Sequence, residues 1–143
     1  MSRFVFVDTG GWEAFFDRDD EHHAEAARIV RRLYERGASL LTSDYVLDET
    51  LTLLKVRCGH TAAVTAGKRI QSASWVTLVD VGRVARDEAW KLFQKMKDQP
   101  FSFTDCTSFA LMKRFGIAEA LVFDADFERA GFTRLSMNHF GGR

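Results

Sequence analysis

Short apolar runs alternate with longer amphipathic segments along almost the whole chain, and this alternation constrains the fold more than any other feature. The first run, Phe4–Val7, is aromatic and β-branched, apolar at every position and too short for a helix. Such a run predicts a strand buried on both faces of a parallel sheet. Similar strands are predicted at residues 39–42, 75–79, 120–123 and 132–135. The alternation therefore predicts an α/β fold with a central, mainly parallel sheet flanked by helices.

The intervals between these strands carry helical patterns with recognisable starts and stops. A turn or short helix is predicted near residues 10–12. Two longer helices are predicted next: one from a cap at Asp19 or Asp20 to about residue 36, and one from a cap at Ser43 to about residue 58. Two more are predicted over residues 61–72 and 83–97. A last helix is predicted from a cap at Thr104 to a stop at Gly116.

The composition is that of one globular unit, and we expect a single domain over residues 1–143. The hydrophobic fraction of 46% is sufficient for a core, in which Trp12, Trp90 and Phe93 are expected. No stretch approaches about 18 apolar residues, and the first residues lack a signal-peptide pattern, so a cytoplasmic protein without a membrane span is predicted. Cys58 and Cys106 are expected as buried thiols, although a disulfide stays open at this stage.

Basic and acidic residues balance at 20 each, so the formal net charge is zero. This balance argues against a uniformly basic surface of the kind that coats nucleic acid. A local basic rim around an acidic centre stays possible, and so does the simpler interpretation that the basic clusters are solvated helix faces. Candidates for the rim are Arg28, Arg31, Arg32, Lys68, Arg69, Lys91, Lys95, Lys97, Lys113 and Arg114.

Four acidic residues occupy positions where a carboxylate meets apolar structure. Asp8 and Asp124 follow predicted strands, Glu49 lies beside the apolar stripe of a predicted helix, and Asp105 lies at the start of another. The carboxyl ends of parallel strands meet at one edge of a sheet, where sites form. An unpaired charge near apolar surface costs free energy, so the four acids are expected to share a partner, most simply a divalent cation.

Clustered carboxylates repel one another, and without a cation some of them take up protons. Mg²⁺ and Mn²⁺ prefer oxygen ligands and promote phosphodiester hydrolysis without a serine or cysteine nucleophile. The sequence therefore predicts a metal-dependent hydrolase, specifically a nuclease. Each acid also has a simpler interpretation: Asp8 as a helix cap, Glu49 as a surface acid, Asp105 as a first-turn acid, and Asp124 with Asp126 as acids of an Asx turn.

Four segments carry a resemblance to a known family. They are residues 6–9 with Asp8, 42–49 ending in Leu-Asp-Glu, 103–110 with the order Phe-Thr-Asp-Cys-Thr-Ser-Phe-Ala, and 122–127 with Val-Phe-Asp-Ala-Asp-Phe. In this order and spacing, the chain resembles PIN-domain ribonucleases from residue 4 to about residue 135. More narrowly, it resembles the VapC toxins of toxin–antitoxin pairs.

The resemblance implies an acidic pocket of Asp8, Glu49, Asp105 and Asp124, with Mg²⁺ or Mn²⁺ as cofactor. Asp126 is added to the candidate metal ligands as an auxiliary acid or hydrogen-bond partner, and the hydroxyls of Thr9 and Thr104 are expected to orient carboxylates or waters. The implied activity is endonucleolytic cleavage of structured RNA such as tRNA or rRNA. The implied partners are a second copy of the chain and a VapB-like antitoxin whose tail enters the acidic groove, with helices between residues 20 and 67 as the expected contact surface. One departure from the pattern, Gly10-Gly11, is expected to loosen the loop behind Asp8.

Three other functions compete with the toxin. A housekeeping RNA-processing nuclease of the same fold would lack an antitoxin, and a catalytically silent RNA-binding module would lack the complete acidic set. A phosphatase with Asp8 as nucleophile would usually need a second aspartate where Gly10 stands. The histidines show no ligand spacing, and His22 and His23 are expected to be exposed at a helix start.

Overall fold

A computed structural model describes residues 3–141 of the chain. Five strands form one sheet in the order β3-β2-β1-β4-β5, and every neighbouring pair is parallel. The strands are β1 (Phe4–Val7), β2 (Ser39–Ser43), β3 (Val76–Val79), β4 (Glu119–Leu121) and β5 (Thr133–Arg134). The predicted α/β class with a central parallel sheet is confirmed.

Seven α-helices and one 3₁₀ turn flank this sheet within the described residues. They are α1 (Thr9–Phe16), α2 (His23–Glu35), α3 (Asp44–Cys58), α4 (His60–Ser72), α5 (Gly82–Lys95), α6 (Phe103–Phe115) and α7 (Asp126–Arg129), followed by the 3₁₀ turn Met137–Phe140. Over residues 3–141, no helix combines the length and the apolar character needed to cross a membrane.

The middle strand β1 is the best-buried element of the sheet. Val5, Phe6 and Val7 have no exposed surface, and Phe6 is in register with Leu41 of β2 on one side and Ala120 of β4 on the other. A strand with neighbours on both edges and helices on both faces needs apolar side chains at every position. This position explains the uniform pattern of residues 4–7 and places Asp8 at the centre of the carboxyl edge.

The core beneath this edge is largely aromatic. Phe109 of α6 contacts Phe101, Phe127 and Phe132, with ring centroids 5.0, 4.9 and 5.6 Å away. Trp12 is 1% exposed, and its indole N–H donates to Thr42 Oγ1 at 3.1 Å. The Thr42 hydroxyl donates in turn to the Val7 carbonyl at 2.9 Å, so one buried threonine connects α1, β1 and β2.

Two predicted helix caps are wrong. The helix α2 begins at His23 without a side-chain cap, because Asp20 accepts a hydrogen bond from the His22 amide in the preceding turn. Likewise α6 begins one residue before Thr104, and Ser102 is its cap. In both places the sequence offers several capping residues in a row, and only the path of the chain selects among them.

Several expected burial states are also wrong. Trp90 is 53% exposed and Phe93 is 40% exposed on α5, and Cys58 is exposed, whereas Cys106 is a buried free thiol. The two expected surface histidines are half-buried: His22 stacks on Phe123 and His23 contacts the Ala14 carbonyl at 2.8 Å. Helical periodicity locates an apolar face but does not tell how much of it neighbouring elements cover.

Candidate active site

Asp8 is a buried carboxylate at the point where β1 passes into α1. It caps α1, and its Oδ1 accepts a hydrogen bond from the Gly11 amide at 2.9 Å. Burial raises the pKa of Asp8 well above its ordinary value, and the charges of Asp124, Asp105 and Glu49 raise this pKa further. The structure therefore brings the four predicted acids into one electrostatic neighbourhood.

The glycine pair after Asp8 makes a close approach possible. A Cβ on Gly11 would lie 2.2 Å from the carbonyl oxygen of Leu121 in β4 and 3.0 Å from Val7 Cγ1. A Cβ on Gly10 would meet only the Asp8 carboxylate oxygens, at 3.6 and 4.0 Å. The expectation that these glycines loosen the loop is wrong, because Gly11 lies buried inside α1 and lets that helix pack directly against the end of β4.

Glu49 reaches the site from α3 and is largely exposed. Its Oε1 accepts a hydrogen bond of 2.5 Å from the Thr9 hydroxyl at the start of α1. This bond joins residues that are 40 positions apart and fixes the Glu49 carboxylate next to Asp8. It gives Thr9 a defined partner among the acids.

Asp105 lies in the first turn of α6 and completes a capping box with Ser102. The Asp105 amide donates to Ser102 Oγ, and the Ser102 amide donates to Asp105 Oδ2, both at 3.0 Å. Within residues 3–141, Oδ1 of Asp105 has no hydrogen bond. Burial raises the pKa of Asp105 to about 6, and the charges of Asp126 and Asp124 contribute to this increase. The Thr104 carbonyl accepts from the Thr107 hydroxyl at 2.6 Å.

Asp124 lies between β4 and α7, and Asp126 is the first residue of α7. Oδ1 of Asp124 accepts a hydrogen bond from the Asp126 amide at 3.0 Å, which is the Asx turn of its simpler interpretation. Asp124 is exposed, and Asp126 binds Arg129 at 3.0 Å. Asp126 is thus partly neutralised by a cation of the chain itself.

The donor set fits a divalent cation. The candidate ligands are all carboxylate oxygens. Burial is the main cause that raises the pKa values of Asp8 and Asp105, and the charges of the neighbouring acids add to the increase. Within residues 3–141, no three acidic, histidine or cysteine side chains converge closely enough to hold an ion directly. Mg²⁺ keeps several waters and typically binds one or two carboxylates, so a spaced acidic pocket suits it.

The family of the chain follows from comparison with known proteins. The model of the PIN domain matches residues 5–133. The chain belongs to the PIN-domain family. This PIN domain is 38% identical over 131 residues to Mycobacterium tuberculosis VapC20, a 23S rRNA-specific endonuclease, with 92% of this chain and 97% of the relative covered. It is also 23% identical over 120 residues to the ribonuclease VapC26 of the same organism, with 84% and 86% covered.

Solved structures agree with this assignment. The crystal structure of VapC20, described as a sarcin-ricin loop cleaving toxin, matches with a TM-score of 0.83 at 38% identity, covering 92% of this PIN domain and 98% of that chain. VapBC2 from Rickettsia felis bound to promoter DNA matches with a TM-score of 0.68 at 10% identity, covering 92% and 97%, which supports the fold alone. The resemblance to VapC-type PIN domains is therefore confirmed.

A further buried acid lies at the other end of α1, and sequence reasoning missed it. Glu13 is 3% exposed, its Oε1 lies 3.4 Å from Arg57 Nη1, and its Oε2 accepts no hydrogen bond within residues 3–141. Burial is the largest of the causes that raise the pKa of Glu13 to about 7; the neighbouring Asp17 adds to the increase, and the Arg57 charge opposes it. No local pattern marks this residue, because its burial depends on α3 packing over α1.

Proposed function

We propose that this PIN domain is a metal-dependent endoribonuclease that cleaves structured RNA and acts as the VapC-type toxin of a toxin–antitoxin pair. The observation that carries the proposal is Asp8, which is buried at the carboxyl edge of the sheet with its pKa raised by three further acids. The 38% identity to a 23S rRNA-specific endonuclease makes 23S rRNA the first substrate to test.

The proposed roles of the acids follow from their environments. Asp8, Asp105, Glu49 and Asp124 would hold Mg²⁺ or Mn²⁺, directly or through its bound waters, and Asp126 would assist as an auxiliary acid because Arg129 already neutralises part of its charge. A bound divalent ion supplies Lewis acidity to the attacking water and to the phosphoryl oxygens.

The remaining contributions come from the chain itself. The Gly11 amide holds the Asp8 carboxylate in one orientation, and the Ser102 amide does the same for Asp105. The Thr9 hydroxyl orients Glu49, and we assign a similar supporting role to the Thr104 hydroxyl. These bonds restrict the carboxylates before substrate arrives, which limits the reorganisation that the reaction requires.

The test is cleavage of intact ribosomes, isolated 23S rRNA and total tRNA by purified protein in Mg²⁺, in Mn²⁺ and in EDTA. Asp105→Asn prepared in parallel is the control for contaminating nucleases. Discrete fragments that need both the divalent ion and Asp105 support the proposal, and mapping their ends identifies the substrate. Equal cleavage by both proteins would identify a contaminant. Binding of RNA without cleavage by the wild type would favour the catalytically silent module.

An antitoxin is the partner that separates a toxin from a housekeeping nuclease. A groove of about 430 Å³ between α1, α2, α3 and α4 has an apolar floor that includes Phe15, Phe16 and Leu54. The Arg69 guanidinium lies over the rings of Phe15 and Phe16, at 5.6 and 5.4 Å from their centroids. Such a surface suits an amphipathic antitoxin segment with acidic side chains. Co-purification of the product of a short neighbouring gene, together with loss of RNA cleavage, would support this part, whereas an isolated gene would favour the housekeeping enzyme.

A homodimer and a cytoplasmic location complete the proposal. The exposed rings of Trp90 and Phe93 stack at 6.1 Å, and both contact Phe103, which in turn contacts Tyr45. They form an aromatic surface that a second copy would cover. Light scattering of the wild type beside Trp90→Lys tests the dimer: a mass of two chains that falls to one in the variant is expected. Fractionation of cells tests the location.

A further inference from the structure

A large pocket lined by described residues lies outside the acidic site. It has a volume of about 690 Å³ and lies between α5, α6 and the segment that joins α7 to β5. Three lysines, Lys91, Lys95 and Lys113, line it together with the aromatic side chains of Phe101, Phe109 and Phe132. We call it the lysine pocket. Its lining combines apolar rings with cationic groups, a combination that neither the acidic site nor the core requires.

The positive charge of the lysine pocket is not neutralised by the chain. None of the three lysines forms an ion pair within residues 3–141, and the one acidic residue of the lining, Glu88, pairs with Arg114 at 3.5 Å. Lys91 and Lys95 are one helical turn apart on α5, where like charges destabilise a helix. Three unpaired cations at one pocket are more than a solvated helix face needs, so an anionic ligand is indicated.

The floor of the pocket presents ring faces and edges. Phe101 and Phe109 meet edge to face with centroids 5.0 Å apart, and Phe109 stacks on Phe132 at 5.6 Å with an interplanar angle of 27°. Phe132 is only half-buried, so its ring is accessible from the pocket. Phe101 and Phe109 are almost fully buried, so Phe132 is the ring on which a planar group can stack, and every nucleobase offers a π-face for stacking.

Two lining residues of the lysine pocket are close in sequence to residues of the acidic site. Phe101 directly precedes Ser102, whose amide donates to Asp105, and Phe132 follows Asp126 by six residues. An RNA strand whose scissile phosphate lies at the acids would reach the pocket along these two segments. The acids themselves repel a phosphate backbone, so the affinity for RNA has to come from cationic groups beside them.

We propose that the lysine pocket binds a nucleotide of the RNA substrate away from the scissile phosphate. The base stacks on the Phe132 ring, beneath which Phe109 and Phe101 are buried, and the ammonium groups of the three lysines bind adjacent phosphates. This inference rests on the proposed function, because it assumes that the acidic site cleaves RNA. The pocket binds the RNA equally well in the ground state and in the transition state. Removing the lysines of the pocket therefore raises KM and leaves kcat unchanged.

The chain offers a matched control for this proposal. It contains six lysines, of which Lys91, Lys95 and Lys113 line the pocket and Lys55, Lys68 and Lys97 do not. Replacing either set by glutamine changes the net charge by the same amount. A difference between the two triple variants therefore reports the location of the lysines and not the total charge.

The experiment measures RNA affinity by fluorescence anisotropy in an Asp8→Asn background at several salt concentrations. We expect the pocket triple to bind at least tenfold more weakly, with a salt slope smaller by roughly 2 because about 0.7–0.9 is lost for each phosphate contact. The control triple should bind like the parent. Phe132→Leu, which keeps an apolar side chain without the ring, should weaken binding by about tenfold without changing the salt slope. Thermal melts check that each variant folds.

Two failures are distinguishable. Equal RNA affinities for the pocket and control triples, together with cleavage at wild-type KM by both triples when Asp8 is present, would overturn the lysine pocket and leave the nuclease intact. Absence of metal-dependent cleavage by the wild type would overturn the proposed function, and the binding comparison would then decide the pocket alone. Unchanged RNA affinity with lost affinity for an acidic peptide would assign the pocket to a protein ligand and contradict the proposal.

Discussion

Replacement of Gly11 by alanine tests the packing that holds Asp8 in place. The added Cβ would lie 2.2 Å from the Leu121 carbonyl oxygen, so α1 has to withdraw from β4 by about 1 Å to restore an ordinary contact. Overpacking typically destabilises a protein by about 1–3 kcal/mol. The obstacle here is a backbone atom within a sheet, which cannot move aside as a side chain can, so we expect a cost of about 3 kcal/mol. The higher helix propensity of alanine offsets about 1 kcal/mol. We expect a net destabilisation of about 2 kcal/mol.

Two assays follow this change. At about 3 °C per kcal/mol for a domain of this size, the melting temperature of Gly11→Ala should fall by about 6 °C. The Gly11 amide also binds Asp8 at 2.9 Å, so withdrawal of α1 displaces the carboxylate. A misplacement of about 1 Å can lower catalysis by as much as 10²-fold, and we expect RNA cleavage to decrease by at least tenfold.

The neighbouring glycine is the control. A Cβ on Gly10 meets only the Asp8 oxygens, at 3.6 and 4.0 Å, so Gly10→Ala should melt at or above the wild-type temperature, with a gain of at most about 1 kcal/mol. If Gly11→Ala melted at or above both the wild type and Gly10→Ala, and cleaved RNA at the wild-type rate, the close packing of α1 on β4 would be refuted.

Three further changes probe the site and its support. Asp8→Asn and Asp105→Asn should each abolish cleavage yet melt at or above the wild-type temperature without divalent ions, because mutual repulsion is relieved; unfolding of both would contradict a chemical role. Thr42→Val should destabilise by about 2–4 kcal/mol in thermal melts, because it leaves the Trp12 indole N–H and a buried carbonyl unpaired, whereas Thr42→Ser should retain most of the stability. The pKa of Glu13 is about 7 in the folded state and 4.5 in the unfolded state, so between these pH values the folded state binds a proton that the unfolded state has released. The free energy of unfolding of the wild type should therefore fall as pH rises from 4.5 to about 7. Glu13→Gln should remove the part of that fall that Glu13 contributes, while the raised pKa values of Asp8 and Asp105 retain the rest, and it should be more stable than wild type at pH 8 in denaturant titrations; a pH profile parallel to that of the wild type would refute the assignment.

Much of the fold could be predicted from local sequence patterns. The apolar run of β1 predicts a strand buried on both faces, and the alternation of strands with helices predicts the parallel sheet. The capping box of Ser102 and Asp105 was also readable, because a serine followed three residues later by an acid marks a helix start. Thr104 competes with Ser102 as a predicted cap, because both are hydroxyl residues within three positions of each other.

Other features depend on contacts between distant segments. The exposure of Trp90 cannot be read from α5 alone, since its periodicity places an aromatic residue on the helix without telling what covers it. The burial of Glu13 depends on α3, and the requirement for glycine at position 11 depends on a carbonyl of β4 that is 110 residues later.

The sequence by itself determined the α/β class, the central strand and which acids lie at the ends of elements, because these follow from side-chain periodicity and from the local preferences of the backbone. Only the tertiary structure decided that Asp8 is the buried member of the acidic group, that Thr9 binds Glu49, and that three lysines meet above an aromatic floor. Burial and electrostatic coupling are properties of the space between elements, and that space exists only once the helices have packed against the sheet.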